Sequence, residues 1–107
     1  MTKQELLNSG FQHFAKREYD QAQEKFEKAI EIDDKFEAAY SALSESLNRK
    51  GEVDAAIIIV KKWIDINPKD ALAHTALSRL YVQKGMIQEA EDEMAISNQL
   101  NFDNSGM

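Results

Sequence analysis

The chain has 107 residues, 43% of them hydrophobic and 30% charged, a composition typical of a folded domain rather than of a disordered segment. Its 13 basic and 19 acidic side chains give a formal net charge of −6, which argues against nucleic acid and anionic membranes as partners, because both require a basic face. It contains no cysteine, so disulfides, thiolate metal sites and a cysteine nucleophile are excluded.

Six amphipathic segments follow in chain order, and each is predicted to be a helix. Apolar side chains recur at helical spacing within them, as Ala22 and Phe26 do in the second segment. Gly51 and Gly85 end two of the segments, and the Asn67-Pro68 pair ends another, because proline cannot donate to a helix. The predicted helices span residues 4–16, 20–32, 36–50, 54–66, 70–84 and 87–100.

The segments form pairs that repeat every 34 residues. Ala22, Ala56 and Ala90 keep this interval. Because the turns are short, neighbouring helices must pack antiparallel, and no single pair buries its own apolar face. The pattern therefore predicts a single all-α domain, residues 1–107, in which three units stack at residues 3–36, 37–70 and 71–104. Asp70 is expected to cap the first helix of the third unit.

This pattern resembles that of the tetratricopeptide repeat family. The family's pattern positions fall in the second unit on Tyr40, Leu43, Ser44, Leu47, Gly51, Val53, Ala56, Val60, Trp63 and Pro68. The resemblance implies a right-handed α-solenoid of three helix-turn-helix repeats. It also implies a non-catalytic adaptor or scaffold that binds a peptide segment of a partner protein in a concave groove lined by the first helix of each unit.

Three departures from the family pattern stand out, and one of them is Asp34, which stands where the proline is usual. Arg17 stands where the turn glycine is usual, and we expect a rearranged turn there, because a non-glycine residue in a left-handed turn costs about 1 kcal/mol. Trp63 stands where a small alanine is expected. One interpretation is an exchange of volume with the alanines of the following helix, and the other is a partly exposed tryptophan that anchors a partner.

The resemblance places the binding groove on the first helices of the units. Its candidate residues are Leu7, Phe11, Phe14, Ser41, Glu45, Asn48, Arg49, Leu72, Thr75, Arg79 and Val82. We hypothesise that an apolar side chain of the ligand binds near Phe11 and Phe14. An acidic group is expected near Arg49 and Arg79, since arginine suits carboxylates. The alternative is that Phe14 belongs to the core and both arginines are solvated.

One subclass of the family holds the C-terminal acid of heat-shock chaperones with a clamp of lysine, asparagine and arginine. The clamp positions fall here on Leu7, Phe11, Ala42, Leu72 and Ala76, none of which is basic or an amide. We therefore expect no binding of a chaperone tail by this route.

Two other functions remain open from the sequence. Four consecutive apolar residues, Ile57 to Val60, cannot all face inward from a helix, so Ile58 or Ile59 is expected to be at least half-exposed. A self-associating structural protein, such as a homodimer, would use the third unit or this face; its candidate residues are Ile58, Trp63, Met94 and Phe102. The remaining alternative is an assembly or secretion chaperone for a client protein.

The sequence carries no sign of catalysis. His13 and His74 lie far apart, at positions that normally hold core aromatics, and neither a phosphate-binding loop nor a nucleophile motif is present. We predict no catalytic residue, no metal and no cofactor, and a protein or peptide as the partner. The N-terminal residues lack the apolar core of a signal peptide, and the apolar run 55–60 is too short for a bilayer, so the expected location is cytoplasmic.

Overall fold

The computed structural model describes residues 1–104, and within that range the chain consists of six α-helices with no strand. The helices are α1 (Lys3–Ala15), α2 (Tyr19–Ile32), α3 (Glu37–Arg49), α4 (Val53–Ile66), α5 (Ala71–Gln83) and α6 (Ile87–Asn104). The all-α prediction is confirmed, and the predicted bounds of the first five helices lie within one residue of those observed. The last helix continues past its predicted end at Leu100 to Asn104.

Side-chain caps fix the starts of two helices. The Thr2 hydroxyl accepts a hydrogen bond from the Glu5 amide at 3.1 Å, and the Glu5 carboxylate accepts one from the Thr2 amide at 2.9 Å. This reciprocal capping box lowers the pKa of Glu5, chiefly through the backbone bond from Thr2. At α5, the Asp70 carboxylate accepts from the Leu72 amide at 2.9 Å, which confirms the predicted cap.

The turn inside each helix pair has the same geometry in all three units. Gly51 and Gly85 adopt left-handed conformations with φ of 83° and 76°. Arg17 does so as well, with φ of 61°, and its amide donates to the Phe14 carbonyl at 2.9 Å. The expectation of a rearranged turn is therefore wrong: the paired backbone hydrogen bonds that close the helix end hold Arg17 in a conformation that costs about 1 kcal/mol.

Residues of matched size allow the two helices of a unit to approach closely. Gly10 of α1 faces the fully buried Phe26 of α2, and a Cβ at Gly10 would lie 2.3 Å from the Phe26 ring. At the position equivalent to Gly10, the third unit has Ser78, whose hydroxyl donates to the Ala90 carbonyl at 2.7 Å. Small residues on the first helix and alanines on the second thus set the spacing within each unit.

Trp63 also exchanges volume with its neighbours. Its side chain is buried, and its indole Nε1 donates to Glu37 Oε1 at 2.9 Å. The following helix has alanines at Ala71, Ala73 and Ala76, of which Ala73 is fully buried. The volume-exchange interpretation is therefore correct, and the exposed-tryptophan alternative is wrong.

One repeat position ties each later unit to the loop before it. Tyr40 of α3 donates its hydroxyl to the Asp34 carbonyl at 2.7 Å, and burial raises the pKa of this phenol. His74 occupies the equivalent position on α5, where Nε2 donates to the Pro68 carbonyl at 2.8 Å and Nδ1 lies 2.7 Å from Glu93 Oε2. His74 is therefore a structural residue that replaces tyrosine.

Candidate binding groove

A cavity of about 510 Å³ lies between the first helices of the three units. It is formed mainly by α1, α3 and α5, with Trp63 of α4 added. This volume lies within the range of ordinary ligand sites. The lining side chains are Phe11, Phe14, Ala38, Ser41, Ala42, Ser44, Glu45, Trp63, Leu72, Thr75, Ala76 and Arg79.

Most of the predicted groove residues lie together in this lining, and four do not. Leu7 is 5% exposed and belongs to the hydrophobic core, so its assignment to the groove surface is wrong. Arg49 borders the cavity beside Phe14. Asn48 and Val82 are half-buried and exposed, respectively, outside the lining, and their part in binding stays a prediction.

Sequence reasoning did not assign Trp63 to the groove. Its position on a second helix suggested the opposite side of the molecule. A large side chain at a position meant for alanine extends between the units and reaches the cavity. The clue was the cluster of alanines on α5, which leaves room for a large neighbour.

The apolar part of the groove is exposed but well supported. Phe11 remains 47% exposed while its ring meets that of Phe26 edge to face, with centroids 5.4 Å apart. Phe14 packs in the same manner on Tyr19 at 5.2 Å. Leu72, on the opposite wall, is 71% exposed. The two walls therefore offer apolar surface that a ligand can cover.

The two arginines of the groove have different surroundings. The Arg49 guanidinium lies 5.7 Å above the Phe14 ring, and its Nε is 3.7 Å from Glu45 Oε1, one helical turn away. Arg79 has no ion pair or hydrogen bond from its side chain to any residue in the range 1–104. The structure thus brings one uncommitted cation to the cavity and places the other at its edge, held by Glu45.

The hydroxyl of Thr75, a polar group of the groove lining, already has a hydrogen-bond partner within the protein. Ser97 of α6 donates to the Ala71 carbonyl at 3.1 Å, and its Oγ lies 2.6 Å from Thr75 Oγ1. Because the one hydroxyl proton of Ser97 is donated to the Ala71 carbonyl, Thr75 must donate its own proton to Ser97. The Thr75 hydroxyl can then only accept hydrogen bonds from other groups. Thr75 therefore links α5 to α6 more than it offers a donor to a ligand.

The residues predicted for self-association do not share one face. Ile58 of α4 is 56% exposed and Ile59 is half-buried, which confirms that the four apolar residues cannot all face inward. Met94 and Phe102 of α6 are also exposed, at 36% and 57%. Trp63 is buried and lines the groove, so its inclusion with these residues is wrong.

The histidines and carboxylates show how little of the described chain is arranged for metal chemistry. His13 Nδ1 lies 2.9 Å from Glu18 Oε1, and His74 is bonded as described above. Over residues 1–104, no group of three or more histidine, cysteine, aspartate or glutamate side chains is placed to hold a metal ion. In the part of the chain that the structure describes, no helix is both long and apolar enough to cross a membrane.

Several known proteins are similar to this chain. Among curated proteins, the BBSome complex member BBS4 of Bos taurus is 29% identical over 96 residues, which make up 90% of this chain and 18% of that protein. The chain thus spans less than a fifth of the length of this relative.

Two solved structures superpose closely on the chain. MamA does so with a TM-score of 0.94 and 23% identity, over 99% of this chain and 62% of MamA. The type III secretion chaperone SycD of Yersinia enterocolitica, in complex with a peptide of the translocator YopD, gives a TM-score of 0.86 and 20% identity, over 91% of this chain and 74% of SycD. At these identities the likeness shows a shared fold.

The family assignment rests on the sequence itself. A tetratricopeptide repeat model matches residues 13–80, which is more than half of the chain. The 34-residue period, the left-handed turns and the helix pairs described above are the structural expression of that match. The chain therefore belongs to the tetratricopeptide repeat family.

Proposed function

We propose that the chain is a non-catalytic protein-interaction module, an adaptor or scaffold, that binds a peptide segment of a partner protein in the groove between α1, α3 and α5. The observation that carries this proposal is the 510 Å³ cavity, with Phe11 and Leu72 exposed on opposite walls. The complex of the similar SycD with a YopD peptide supports it. A cytoplasmic location is part of the proposal and agrees with the absence of cysteine.

The energetics favour a ligand with a bulky apolar side chain. Covering a large exposed side chain such as Leu72 contributes roughly 1.5–3 kcal/mol, and Phe11 adds surface on the other wall. Both walls rest on helices that are packed into the stack, so little order has to be gained on binding. An extended peptide that places one apolar side chain between the walls covers both at once.

Peptide display on the intact protein tests this proposal. Peptides selected on the wild-type chain are expected to lose at least about tenfold in affinity on the Phe11→Ser and Leu72→Ser variants. Ile58→Ser is the matched control, because Ile58 is 56% exposed and lies outside the groove. Thermal unfolding of each variant separates lost binding from lost folding.

Two outcomes of this experiment would overturn the proposal. In one, the selected peptides bind both groove variants as tightly as the wild type. In the other, Ile58→Ser removes binding and the groove variants do not.

Self-association is the second candidate, favoured by the exposed Ile58, Met94 and Phe102. The similar SycD has been described in an alternative dimer. Light scattering over a range of protein concentrations tests it: a dimer that dissociates in the Ile58→Ser or Met94→Ser variant supports this candidate, and a constant monomer mass refutes it. A client chaperone, as SycD is for a translocator, would use the same groove on a longer partner segment.

A further inference from the structure

Three residues at equivalent repeat positions give the groove both charged and apolar side chains. Phe11, Glu45 and Arg79 are spaced 34 apart, so they occupy the same position on α1, α3 and α5, and all three line the cavity. The row therefore presents an aromatic ring at one end, a carboxylate in the middle and a guanidinium at the other end.

Glu45, the middle residue of this row, has an ion-pair partner within the protein. Arg49 lies one turn after Glu45 on α3, with Nε 3.7 Å from Glu45 Oε1, and is stacked over Phe14. This exposed ion pair between residues one helical turn apart offsets part of each charge, so both groups already have a partner within the protein. Arg79 is the cation that remains, with no ion pair or hydrogen bond inside the described range.

The groove does not share the acidic charge of the whole chain. The cavity lining holds one carboxylate, Glu45, and one guanidinium, Arg79, which balance. At its edge, Arg49 lies over Phe14 and Glu37 accepts from the Trp63 indole, so these two charges balance as well. The chain as a whole has a formal net charge of −6. An acidic segment is repelled by the chain as a whole but not by this lining, where Arg79 is the charge without a partner within residues 1–104, so Arg79 favours an acidic group in the groove.

From these observations we infer that the ligand is an acidic peptide segment, a conclusion that rests on the proposed function. A bulky apolar side chain enters the cavity between Phe11 and Leu72, and an aspartate or glutamate side chain of the same segment pairs with Arg79. The planar guanidinium accommodates a carboxylate through two parallel N–H···O bonds. A side-chain carboxylate fits better than a chain terminus, because a single uncommitted cation does not form the multi-residue clamp that a terminus requires.

Parallel peptide-display selections test this inference, with all peptides amidated at the C-terminus so that only side-chain carboxylates are read. Peptides selected on the wild type are expected to carry Asp or Glu next to the apolar residue, and to lose about tenfold or more in affinity on Arg79→Glu. A selection on Arg79→Glu is expected to return Lys or Arg in place of the acid and the same apolar residue. Arg79→Lys should keep the acid preference with weaker affinity, because lysine cannot bind bidentately.

The control is Lys62→Glu, which makes the same change of charge at an exposed cation on α4, outside the groove. It is expected to change affinity by less than about twofold. Peptides that require Phe11 and Leu72 but show no acid preference, or that bind Arg79→Glu and wild type equally, would overturn the charge inference and leave the groove proposal standing. Peptides indifferent to Phe11 and Leu72 would instead overturn the groove proposal itself.

Discussion

The faces between units differ in chemistry from the faces at the two ends of the stack. On α3 and α5, which follow a helix of the preceding unit, one repeated set of positions is apolar and buried: Ala39, Leu43 and Leu47, then Ala73, Leu77 and Tyr81. On α1 the same positions hold Glu5, Ser9 and His13, none of them buried. The exposed side of the first helix is therefore a polar surface of the kind that keeps a repeat array soluble.

The other end of the stack is only partly polar. Phe26 and Val60 occupy one position on α2 and α4 and are fully buried, but the equivalent Met94 on α6 is 36% exposed. Beside it, Asn98 replaces the half-buried Ile64 of α4. Repeat position alone therefore does not determine burial, because burial also requires a neighbouring unit. Where that neighbour is missing, α1 has polar residues, whereas α6 keeps the apolar Met94 beside the polar Asn98.

The largest expected effect on stability comes from truncating a side chain to alanine at an interior position, compared with the same change at the equivalent end position. Phe26→Ala is expected to reduce the free energy of unfolding by about 3–5 kcal/mol, because it leaves a cavity against Gly10. Met94→Ala at the equivalent position should cost about 1 kcal/mol or less, since Met94 already faces solvent in part. Urea unfolding followed by the fluorescence of the single tryptophan measures both; equal losses would contradict the distinction between interior and end.

A second test gives the polar end of α1 the chemistry of an interior face. The double variant Ser9→Leu with His13→Leu carries leucines where α3 has Leu43 and Leu47. We expect this variant to self-associate as its concentration rises, because it exposes an apolar face of the kind that the interior units bury. Light scattering checks the mass, with Gln12→Leu as a single-site control; an unchanged monomer mass for the double variant would show that these polar residues do not restrain stacking.

A third test concerns the turn at Arg17. Arg17→Gly is expected to raise the free energy of unfolding by about 1 kcal/mol, since glycine adopts a positive φ without strain. The reciprocal Gly51→Arg should lose a similar amount, because a Cβ at Gly51 meets nothing within 4 Å and only the backbone is strained. Urea midpoints of the two variants, compared with the wild type, give the result; a loss at Gly51 without a gain at Arg17 would mean that the arginine side chain has contacts of its own.

The smallest test uses the ion pairs that join successive units. Lys50 Nζ lies 2.7 Å from Asp20 Oδ1, and Lys84 makes the equivalent pair with Asp54, but α6 has the neutral Gln88 at this position. Asp20→Asn and Asp54→Asn should each cost about 0.5 kcal/mol at low salt, because the pairs are partly exposed. Gln88→Asp should leave the free energy of unfolding nearly unchanged, because no lysine of a following unit lies opposite this position in the described chain. Changes of equal size at all three positions would contradict the pairing.

The pH dependence of the Lys50 pair has a definite sign. The hydrogen bond from Lys50 to Asp20 raises the pKa of Lys50 above its ordinary value. Its contribution to stability is therefore complete at neutral pH and is lost as the pH rises through the raised pKa of Lys50. The difference in unfolding free energy between wild type and Asp20→Asn should shrink in strongly alkaline buffer, and a difference that grows there would contradict this assignment.

The fold was predictable from the sequence because its signals are local and repeated. Helix bounds follow from caps such as Asp70 and from turn glycines such as Gly51, and the stacking follows from the 34-residue period. The turn at Arg17 was mispredicted because the cost of its conformation is small compared with the backbone hydrogen bonds that close the turn. The low preference of arginine for a positive φ was outweighed by the helices on both sides of the turn.

The groove was less predictable, because binding depends on pairings that the repeat pattern does not contain. The position of Arg79 on α5 was enough to place it in the groove. That Arg49 is held by Glu45 depends on side-chain geometry within α3, and that Trp63 reaches the cavity depends on the alanines of the next unit. Position within the repeat thus predicts which residues surround the site, but not which of them remain available to a ligand.

In the proposed groove, the row of Phe11, Glu45 and Arg79 is distinct from the residues that hold the fold together. All three side chains are exposed, while the residues that hold the units together lie at other positions of the repeat. If the proposed function holds, replacing Glu45 or Arg79 is expected to alter what the groove attracts and to leave the buried positions that set the spacing of the helices unchanged. Because each of α1, α3 and α5 supplies one residue of this row, ligand preference is expected to change, by evolution or by design, through substitutions on one helix at a time.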